Sequence, residues 1–150
     1  MKVKKLFPDA KLPVYATEGA ACFDLHAHSE GWARHHIDNG VRIDPGQAYN
    51  FRTGLAFEVP DGQVMLVFSR SGHGFKNSTR LANCVGVIDS DYRGELRVNL
   101  HCDGQFGLNV MPGDRIAQAM LLPVKQVKFE EVEELSETTR GVGGFGSTGN

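Results

Sequence analysis

The chain has 150 residues, of which 41% are hydrophobic, and its formal net charge is −2. This length is sufficient for one domain with its own core. The small net charge and the lack of a long basic block argue against binding to nucleic acid or to a membrane surface by general electrostatic attraction. The three cysteines lack Cys-x-x-Cys spacing and residues 1–8 contain no apolar run of signal-peptide length, which predicts free thiols and a cytoplasmic location.

Short apolar segments separated by turn residues run along most of the chain. Turns rich in Asp, Gly or Pro are predicted at 43–46, 59–62, 93–94, 103–104 and 111–114. Strands that recur at intervals of about 8–12 residues are typical of an all-β sandwich, jelly roll or barrel. The pattern allows at most one short helix, near residues 71–80. We therefore expect a β domain over residues 1–137, which ends in an exposed acidic strand and linker at 130–137.

Several side chains early in the chain are candidates for charge pairing or metal binding. Asp24 lies between two apolar residues, so its carboxylate needs a partner, either an arginine in a buried salt bridge or a hydrated cation. His26 and His28 share one face of a predicted strand, but two ligands without a completing Cys, His or Glu do not make a zinc site. His35 and His36 are expected in a loop.

Two polar turns resemble anion-binding corners. Ser69-Arg-Ser-Gly72 follows an apolar run, so a guanidinium, a hydroxyl and a glycine lie together at the end of a strand. An ordinary polar turn explains the same residues. In the second turn, Pro112-Gly113 reverses the chain, Asp114 and Arg115 are placed to pair, and Gln118 follows on an apolar strand, where an amide has a structural or a binding role.

The most polar turn follows an apolar strand that ends near residue 88. Asp89-Ser-Asp-Tyr-Arg-Gly94 predicts a tight hairpin, and such a hairpin by itself accounts for one aspartate and for the glycine. It does not account for Asp89, Asp91 and Tyr92 together, or for the amide of Asn83 six residues upstream. Taken alone, the segment leaves both interpretations open, an ordinary Asp/Gly hairpin and a functional site.

The final segment, residues 138–150, forms a Gly-rich tail in which five of the last eleven residues are glycine. Arg140, Ser147 and Thr148 carry groups that bind phosphate, and Phe145 carries a ring that can stack on a flat ligand. Ordering such a backbone costs about 1–2 kcal/mol per residue, so we expect a tail that is mobile when empty and closes over a highly charged ligand. A frayed terminus is the alternative.

Taken in order, five segments resemble the five motifs of the trimeric deoxyuridine triphosphatases (dUTPases), and the likeness spans nearly the whole chain. The segments are Ala20-Ala-Cys-Phe-Asp-Leu25, Ser69-Arg-Ser-Gly72, Gly86-Val-Ile-Asp-Ser-Asp-Tyr-Arg-Gly94, Gly113-Asp-Arg-Ile-Ala-Gln118 and Arg140-Gly-Val-Gly-Gly-Phe-Gly-Ser-Thr-Gly149. The third and fifth are specific by themselves. Cys22 departs from the family's usual Gly, a change that bears on the backbone near Asp24. Ser69 and His73 replace its common Pro and Leu, which is expected to affect packing more than chemistry, because Arg70, Ser71 and Gly72 are intact.

The resemblance implies a fold, an assembly and a reaction. The fold is a distorted jelly-roll-like barrel or sandwich, and the assembly is a homotrimer with active sites shared between subunits. The reaction is hydrolysis of dUTP to dUMP and pyrophosphate with Mg²⁺ held mainly by the triphosphate, which keeps uracil out of DNA and supplies dUMP for dTMP synthesis. Neither a nucleic acid nor a membrane is an expected partner.

The resemblance also implies roles for individual residues. Asp89 is expected to orient and deprotonate the water that attacks the α-phosphorus, and Asp24 to bind Mg²⁺ through water. Tyr92 is expected to leave no room for a 2′-hydroxyl, and Asn83 to recognise the uracil edge. The other expected substrate contacts are Gly86, Val87, Ile88 and Arg97 around the base, Phe145 stacked on it, and Arg70, Ser71, Gly72, Gln118, Arg140, Ser147 and Thr148 on the phosphates.

Two alternatives belong to other functional classes. A dCTP deaminase has a similar fold but depends on a Glu in the strand after the hairpin, where this chain has Asn99, whereas Glu95 comes too early. A β-sandwich that binds a nucleotide or a protein without turnover is the second alternative. The near-complete set of motifs weighs against it.

Overall fold

The computed structural model describes residues 1–145 and 147, so Thr148, a predicted phosphate contact, lies outside the described residues. The described part of the chain forms eleven strands and two short helices. These are β1 (Lys2–Lys5), β2 (Val14–Tyr15), β3 (Phe23–His26), α1 (Arg34–Asn39), β4 (Val41–Ile43), β5 (Ala48–Glu58), β6 (Gln63–Phe68), α2 (Ser71–Asn77), β7 (Thr79–Leu81), β8 (Gly86–Ile88), β9 (Glu95–Cys102), β10 (Leu108–Val110) and β11 (Arg115–Pro123).

Two antiparallel sheets build the domain. One has the strand order β1-β5-β9-β7 and the other the order β2-β3-β11-β6-β8, while β10 and β4 form a small separate pair. In β9 the side chains of Leu96, Val98, Leu100 and Cys102 are buried and alternate with more exposed ones, as expected for a strand with one face toward a core. Both sheets contribute to a single hydrophobic cluster, which confirms the all-β prediction.

The predicted turns connect strands in every case. The turns at 43–46, 59–62, 93–94, 103–104 and 111–114 lie between β4 and β5, β5 and β6, β8 and β9, β9 and β10, and β10 and β11. Gly46, Gly62 and Gly113 have φ values of 76°, 72° and 80°, a backbone region that is open to glycine at no steric cost. Local turn chemistry therefore predicted these chain reversals correctly.

The helices agree only partly with the sequence prediction. Helix α2 lies where a short helix was expected. Helix α1 was not predicted, and it contains His35 and His36, which were expected in a loop. No residue of α1 is buried, and its six residues are too few to display a helical period in the sequence. Neither helix has the length or hydropathy needed to cross a membrane.

The acidic segment at 130–137 is not a strand in the structure. The last described strand is β11, and residues 124–137 run without regular structure and are exposed throughout. A strand needs a neighbour to satisfy its backbone hydrogen bonds, and no described sheet of this chain extends to the segment. Its apolar side chains are exposed too, with Phe129 96% and Leu135 87% accessible.

Candidate active site

The two strands that flank the predicted hairpin belong to different sheets. Strand β8 pairs with β6 at the edge of the five-stranded sheet, whereas β9 lies between β5 and β7 in the four-stranded sheet. Residues 89–94, called the crossing loop below, therefore connect the sheets, and the prediction of a tight hairpin was wrong. The Asp and Gly residues predicted a reversal of the chain, but turn residues carry no information about which strands pair.

A cavity of about 420 Å³ opens between the crossing loop and the start of β9. Its lining consists of Val87, Ile88, Asp89, Tyr92, Glu95, Leu96 and Arg97. The Tyr92 hydroxyl donates to the Glu95 carbonyl at 3.1 Å, and the Tyr92 N–H donates to the Asp89 carbonyl at 3.3 Å. The loop thus places the predicted catalytic carboxylate and the predicted sugar-binding ring on the wall of one cavity.

A second cavity, of about 290 Å³, shares part of this wall and lies between β8 and β9. Predicted residues in its lining are Asn83, Gly86, Val87, Ile88 and Arg97, joined by Asn50, Val67, Leu81, Ala82, Leu96, Val98 and Asn99. Strand β8 pairs with β6 only, and β7 pairs with β9 only from Leu100 onward. The facing backbone edges of β8 and of the first half of β9 therefore border an open slot.

Asp24 forms a buried salt bridge, one of the two alternatives that the sequence left open. Its Oδ1 lies 2.9 Å from Arg70 Nε and its Oδ2 lies 3.1 Å from Arg115 Nη1. The side chain of Asp24 is only 10% accessible. Antiparallel pairing of β3 with β11 places Gln118 opposite Asp24, and the Gln118 amide donates to the Ser69 carbonyl at 3.0 Å. The first, second and fourth motifs thus meet in one cluster.

The unusual residues Ser69 and His73 attach the second motif to its surroundings. The Ser69 hydroxyl accepts a hydrogen bond from the Leu81 N–H at 2.9 Å. The His73 Nε2 lies 2.8 Å from the Arg115 carbonyl, and a carbonyl only accepts, so this nitrogen carries the proton. Both contacts anchor the start of α2, where Ser71 and Gly72 are exposed directly after Arg70.

The described residues of the tail contact one another and not the cavities. The Arg140 Nε donates to the Gly143 carbonyl at 2.7 Å, and the Ser147 N–H donates to the Gly144 carbonyl at 3.0 Å. Phe145 is fully exposed. Neither cavity of the crossing loop is lined by a described tail residue or by Asp24, Arg70 or Arg115, so the described part of the chain presents the predicted site in three separate parts.

The histidines give no support for a metal site. His28 Nε2 lies 3.1 Å from Asp9 Oδ1, and His28 Nδ1 accepts the Glu30 N–H at 3.2 Å, so both ring nitrogens are occupied. Burial lowers the pKa of His26. Burial and the nearby charge of Asp24 raise the pKa of the Cys22 thiol, which keeps it protonated. Within residues 1–145 and 147, no three His, Cys, Asp or Glu side chains are grouped to hold a metal.

Comparison with known proteins decides the family. The dUTPase family model matches residues 8–149. The chain is a member of the dUTPase family. It is 44% identical over 149 residues to the deoxyuridine 5′-triphosphate nucleotidohydrolase of Nautilia profundicola, covering 99% of this chain and 98% of that protein. The enzyme of the same name from Acinetobacter baumannii is 46% identical over 139 residues, covering 92% and 87%.

A solved dUTPase structure has the same fold. The dUTPase of Staphylococcus bacteriophage 80alpha, bound to dUpNHpp, superposes with a TM-score of 0.82 at 26% identity and covers 99% of this chain and 98% of that one. This likeness over the full length agrees with the jelly-roll-like fold that the resemblance of the motifs implied.

Sequence reasoning missed several residues of the dUTPase-like cavities. Glu95 and Asn99 share one face of β9 with Arg97, and Asn50 is the register partner of Asn99 on β5. Side chains two positions apart on a strand lie on the same face. Once Arg97 was predicted to contact the base, the sequence could therefore have indicated Glu95 and Asn99 as its neighbours. Asn50 is close only through the pairing of two strands nearly fifty residues apart, which no local signal contains.

Proposed function

We propose that this dUTPase family member hydrolyses dUTP to dUMP and pyrophosphate, with the further role of limiting uracil in DNA and supplying dUMP for dTMP synthesis. The observation that carries the proposal is the wall shared by the two cavities. One cavity presents Asp89 and Tyr92, and the adjoining slot presents the Asn83 amide and free strand edges. A reacting phosphate and a base can therefore bind side by side.

The slot suits the edge of a uracil. A pyrimidine with one N–H flanked by two carbonyls resembles the alternating donors and acceptors of a strand, and the backbone near Val87 and Arg97 supplies such groups from two sides. A close fit at the base C5 rejects thymine by steric conflict. Cytosine is rejected because its exocyclic amine leaves hydrogen-bonding groups of the slot unpaired, which gives large discrimination.

Asp89 is the proposed catalytic residue. A carboxylate is a weak base at neutral pH, so most of its effect would come from orienting water toward the α-phosphorus, as in other phosphoryl transfers. Asp89 is exposed on the cavity wall and is thus accessible to water and substrate. Tyr92 would bound the sugar subsite and exclude a 2′-hydroxyl.

The Asp24 cluster is proposed to bind phosphates. The hydrogen bond from Arg70 to Asp24 uses the Nε of Arg70 and leaves the two terminal nitrogens of that guanidinium unengaged by Asp24. A planar guanidinium pairs well with phosphate oxygens. The exposed Ser71 hydroxyl and the Gly72 backbone lie beside it. Arg140, Ser147 and Thr148 of the tail would add contacts to the terminal phosphates, and Phe145 would stack on the base.

The described residues suit a Mg²⁺ ion that is held through water. Both carboxylate oxygens of Asp24 already accept an arginine hydrogen bond, but each keeps a further lone pair for a metal-bound water. The described residues offer no three-carboxylate cage, so direct ligands would come from the triphosphate, in agreement with the reluctance of Mg²⁺ to lose water. The bound metal would neutralise phosphate charge that Arg70 and Arg140 alone do not balance.

A shared site in a homotrimer would unite the three separate parts. The exposed apolar side chains of residues 124–135, among them Val127, Phe129 and Leu135, suit contact with another copy of the chain, because exposed apolar surface of this extent favours association. The tail that follows would then reach a site on a neighbouring subunit and act there as a lid.

One assay tests the reaction and its selectivity. Pyrophosphate release should be fast with dUTP and much slower with dCTP, dTTP and UTP, whereas binding of dUTP without pyrophosphate release would indicate a non-catalytic binding protein. Release of ammonia from dCTP would indicate a deaminase instead.

Removal of divalent metal should abolish pyrophosphate release from dUTP, and excess Mg²⁺ should restore it. The chelator should leave the melting temperature of the substrate-free protein unchanged, because no metal cage lies within the described residues. A fall in melting temperature would contradict outer-sphere binding with the substrate and would point to a structural metal.

Replacement of Gly94 by Ala should weaken discrimination between dUTP and UTP by about tenfold or more. A Cβ at Gly94 would collide with the Tyr92 ring, lying 2.6 Å from its Cζ. The ring is 44% exposed, so it can yield toward solvent with loss of its hydrogen bond to the Glu95 carbonyl. The ratio of kcat/KM for the two nucleotides measures the effect. Gly19→Ala is the matched control, because a Cβ there meets nothing within 4 Å. If Gly94→Ala had the same ratio of kcat/KM for dUTP to kcat/KM for UTP as Gly19→Ala, Tyr92 would not contribute to discrimination between the two sugars.

A further inference from the structure

We propose that Glu95 is a positioning residue that fixes the crossing loop, and with it Asp89 and Tyr92, to strand β5. The inference rests on the proposed function, because it concerns the geometry of the same site. Glu95 lines the first cavity, yet its side chain is only 8% accessible. The carboxylate is nearly inaccessible to solvent and is hydrogen-bonded to β5.

The buried carboxylate of Glu95 has partners on two strands. Its Oε2 lies 2.8 Å from Arg52 Nε and its Oε1 accepts the Gly54 N–H at 3.0 Å, both on β5. Arg97 Nε, on the same strand as Glu95, lies 3.4 Å from Oε2. Arg52 Nε also lies 3.1 Å from Oε1, so both carboxylate oxygens have a partner on β5, and hydrogen bonds to both oxygens restrict the position and the rotation of the group.

An irregularity in β5 makes this arrangement possible. The register between β5 and β9 shifts between Arg52 and Ala56, and a bulge of this kind redirects backbone groups. Gly54, with φ of 69°, lies within it and turns its N–H toward Glu95. The Thr53 hydroxyl donates to the Leu96 carbonyl at 2.6 Å, a second link at the same point.

The path from Glu95 to the reacting groups is short. The Glu95 carbonyl accepts the Tyr92 hydroxyl at 3.1 Å, and the Tyr92 N–H reaches the Asp89 carbonyl at 3.3 Å. A shift of Glu95 would therefore be transmitted to both the ring and the carboxylate. Arg52 does not line either cavity, and its guanidinium lies over the Phe7 ring at 4.8 Å. Its side chain therefore contacts the site through Glu95, while its backbone pairs with Arg97.

Stability alone is a poor explanation for a charge at this position. Removing a carboxylate and a guanidinium from water costs free energy that their attraction often fails to recover, and well-packed apolar residues frequently serve as well. A charged hydrogen-bonded pair does, however, define one geometry more narrowly than apolar packing. The pair is therefore better suited to holding the crossing loop than to stabilising the sheet.

The test compares three substitutions in the full chain. Glu95→Gln keeps the size of the side chain and removes the charge, and Arg52→Gln removes the partner that is remote from the cavity. Glu58→Gln is the matched control, because Glu58 pairs with Lys2 at an exposed position of the same sheet. For each variant we would measure kcat and KM for dUTP and UTP, the affinity for dUpNHpp, and the melting temperature.

Glu95→Gln should lower kcat for dUTP by about tenfold to a hundredfold, because small displacements of a reacting group have effects of this size. Its KM should change little, and its preference for dUTP over UTP should fall. Arg52→Gln should shift the same two quantities in the same direction, and Glu58→Gln should shift neither. For Glu95→Gln and Arg52→Gln, the fall in kcat should be larger than the fraction of unfolded protein at the assay temperature would cause. Their preference for dUTP over UTP should fall as well.

Three results would overturn the inference. If wild-type protein hydrolyses dUTP and Glu95→Gln keeps its kcat and its sugar preference, the positioning role alone is wrong. If both Glu95→Gln and Arg52→Gln fail to unfold cooperatively, the role of Glu95 is structural. If wild-type protein releases no pyrophosphate from dUTP, the proposed function fails, and the inference that rests on it fails too.

Discussion

Replacing Asp89 by Asn should remove most dUTP turnover and leave nucleotide binding nearly intact. The substitution keeps the shape of the side chain but removes the carboxylate that would orient and deprotonate water, and such general bases contribute about 10²–10⁴-fold. Nucleotide binding should survive because other residues form the slot between β8 and β9 and the Asp24 cluster. The measurements are kcat for dUTP and the dissociation constant of dUpNHpp.

Asp91→Asn is the matched control for this prediction. Asp91 lies in the same crossing loop and is exposed, but it does not line either cavity. Its replacement removes the same charge from the same loop, so a general electrostatic effect on the substrate would appear in both variants. Turnover near the wild-type level in Asp89→Asn, or equal losses in both variants, would rule out Asp89 as the catalytic residue.

Deletion of residues 140–150 should leave a folded protein with at least about a hundredfold lower kcat/KM for dUTP. The free energy of unfolding should change by no more than about 0.5 kcal/mol, because the hydrogen bonds of the described tail residues are confined to residues 138–147. Activity should fall because the phosphates lose Arg140 and the base loses the Phe145 ring. Calorimetry and steady-state kinetics measure the two effects.

A mixing experiment distinguishes a lid on a neighbouring subunit from a lid on the same chain. Truncated chains keep Asp89, and full-length Asp89→Asn chains keep the tail. If each site combines parts of several subunits, co-assembly of the two inactive proteins should restore part of the activity. If the tail serves its own chain, mixing should restore none. Wild-type activity in the truncated protein would make the tail a frayed end.

Local sequence signals predicted much of the fold. Asp, Gly and Pro clusters located the turns because each acts within a few positions of itself. Asp hydrogen-bonds the nearby backbone, Gly allows positive φ and Pro fixes φ. The alternating burial of β9 follows from an equally local pattern, whereas α2, like α1, has no buried residue and thus no apolar face that would predict it. Helix α1 was missed because its six residues are too few to display a helical period. The strand expected at 130–137 was wrong because charge and exposure do not supply a pairing partner.

The sequence by itself determined the all-β class, the turns and the residue types of the site, and the order of its five motifs pointed to the dUTPase family. Only the tertiary structure decided how these residues are placed. It showed that Asp24 lies between Arg70 and Arg115, that the crossing loop joins two sheets, and that Glu95 is held by β5. Each of these depends on strand pairing between distant segments, which is set by burial of the whole core and not by neighbouring residues.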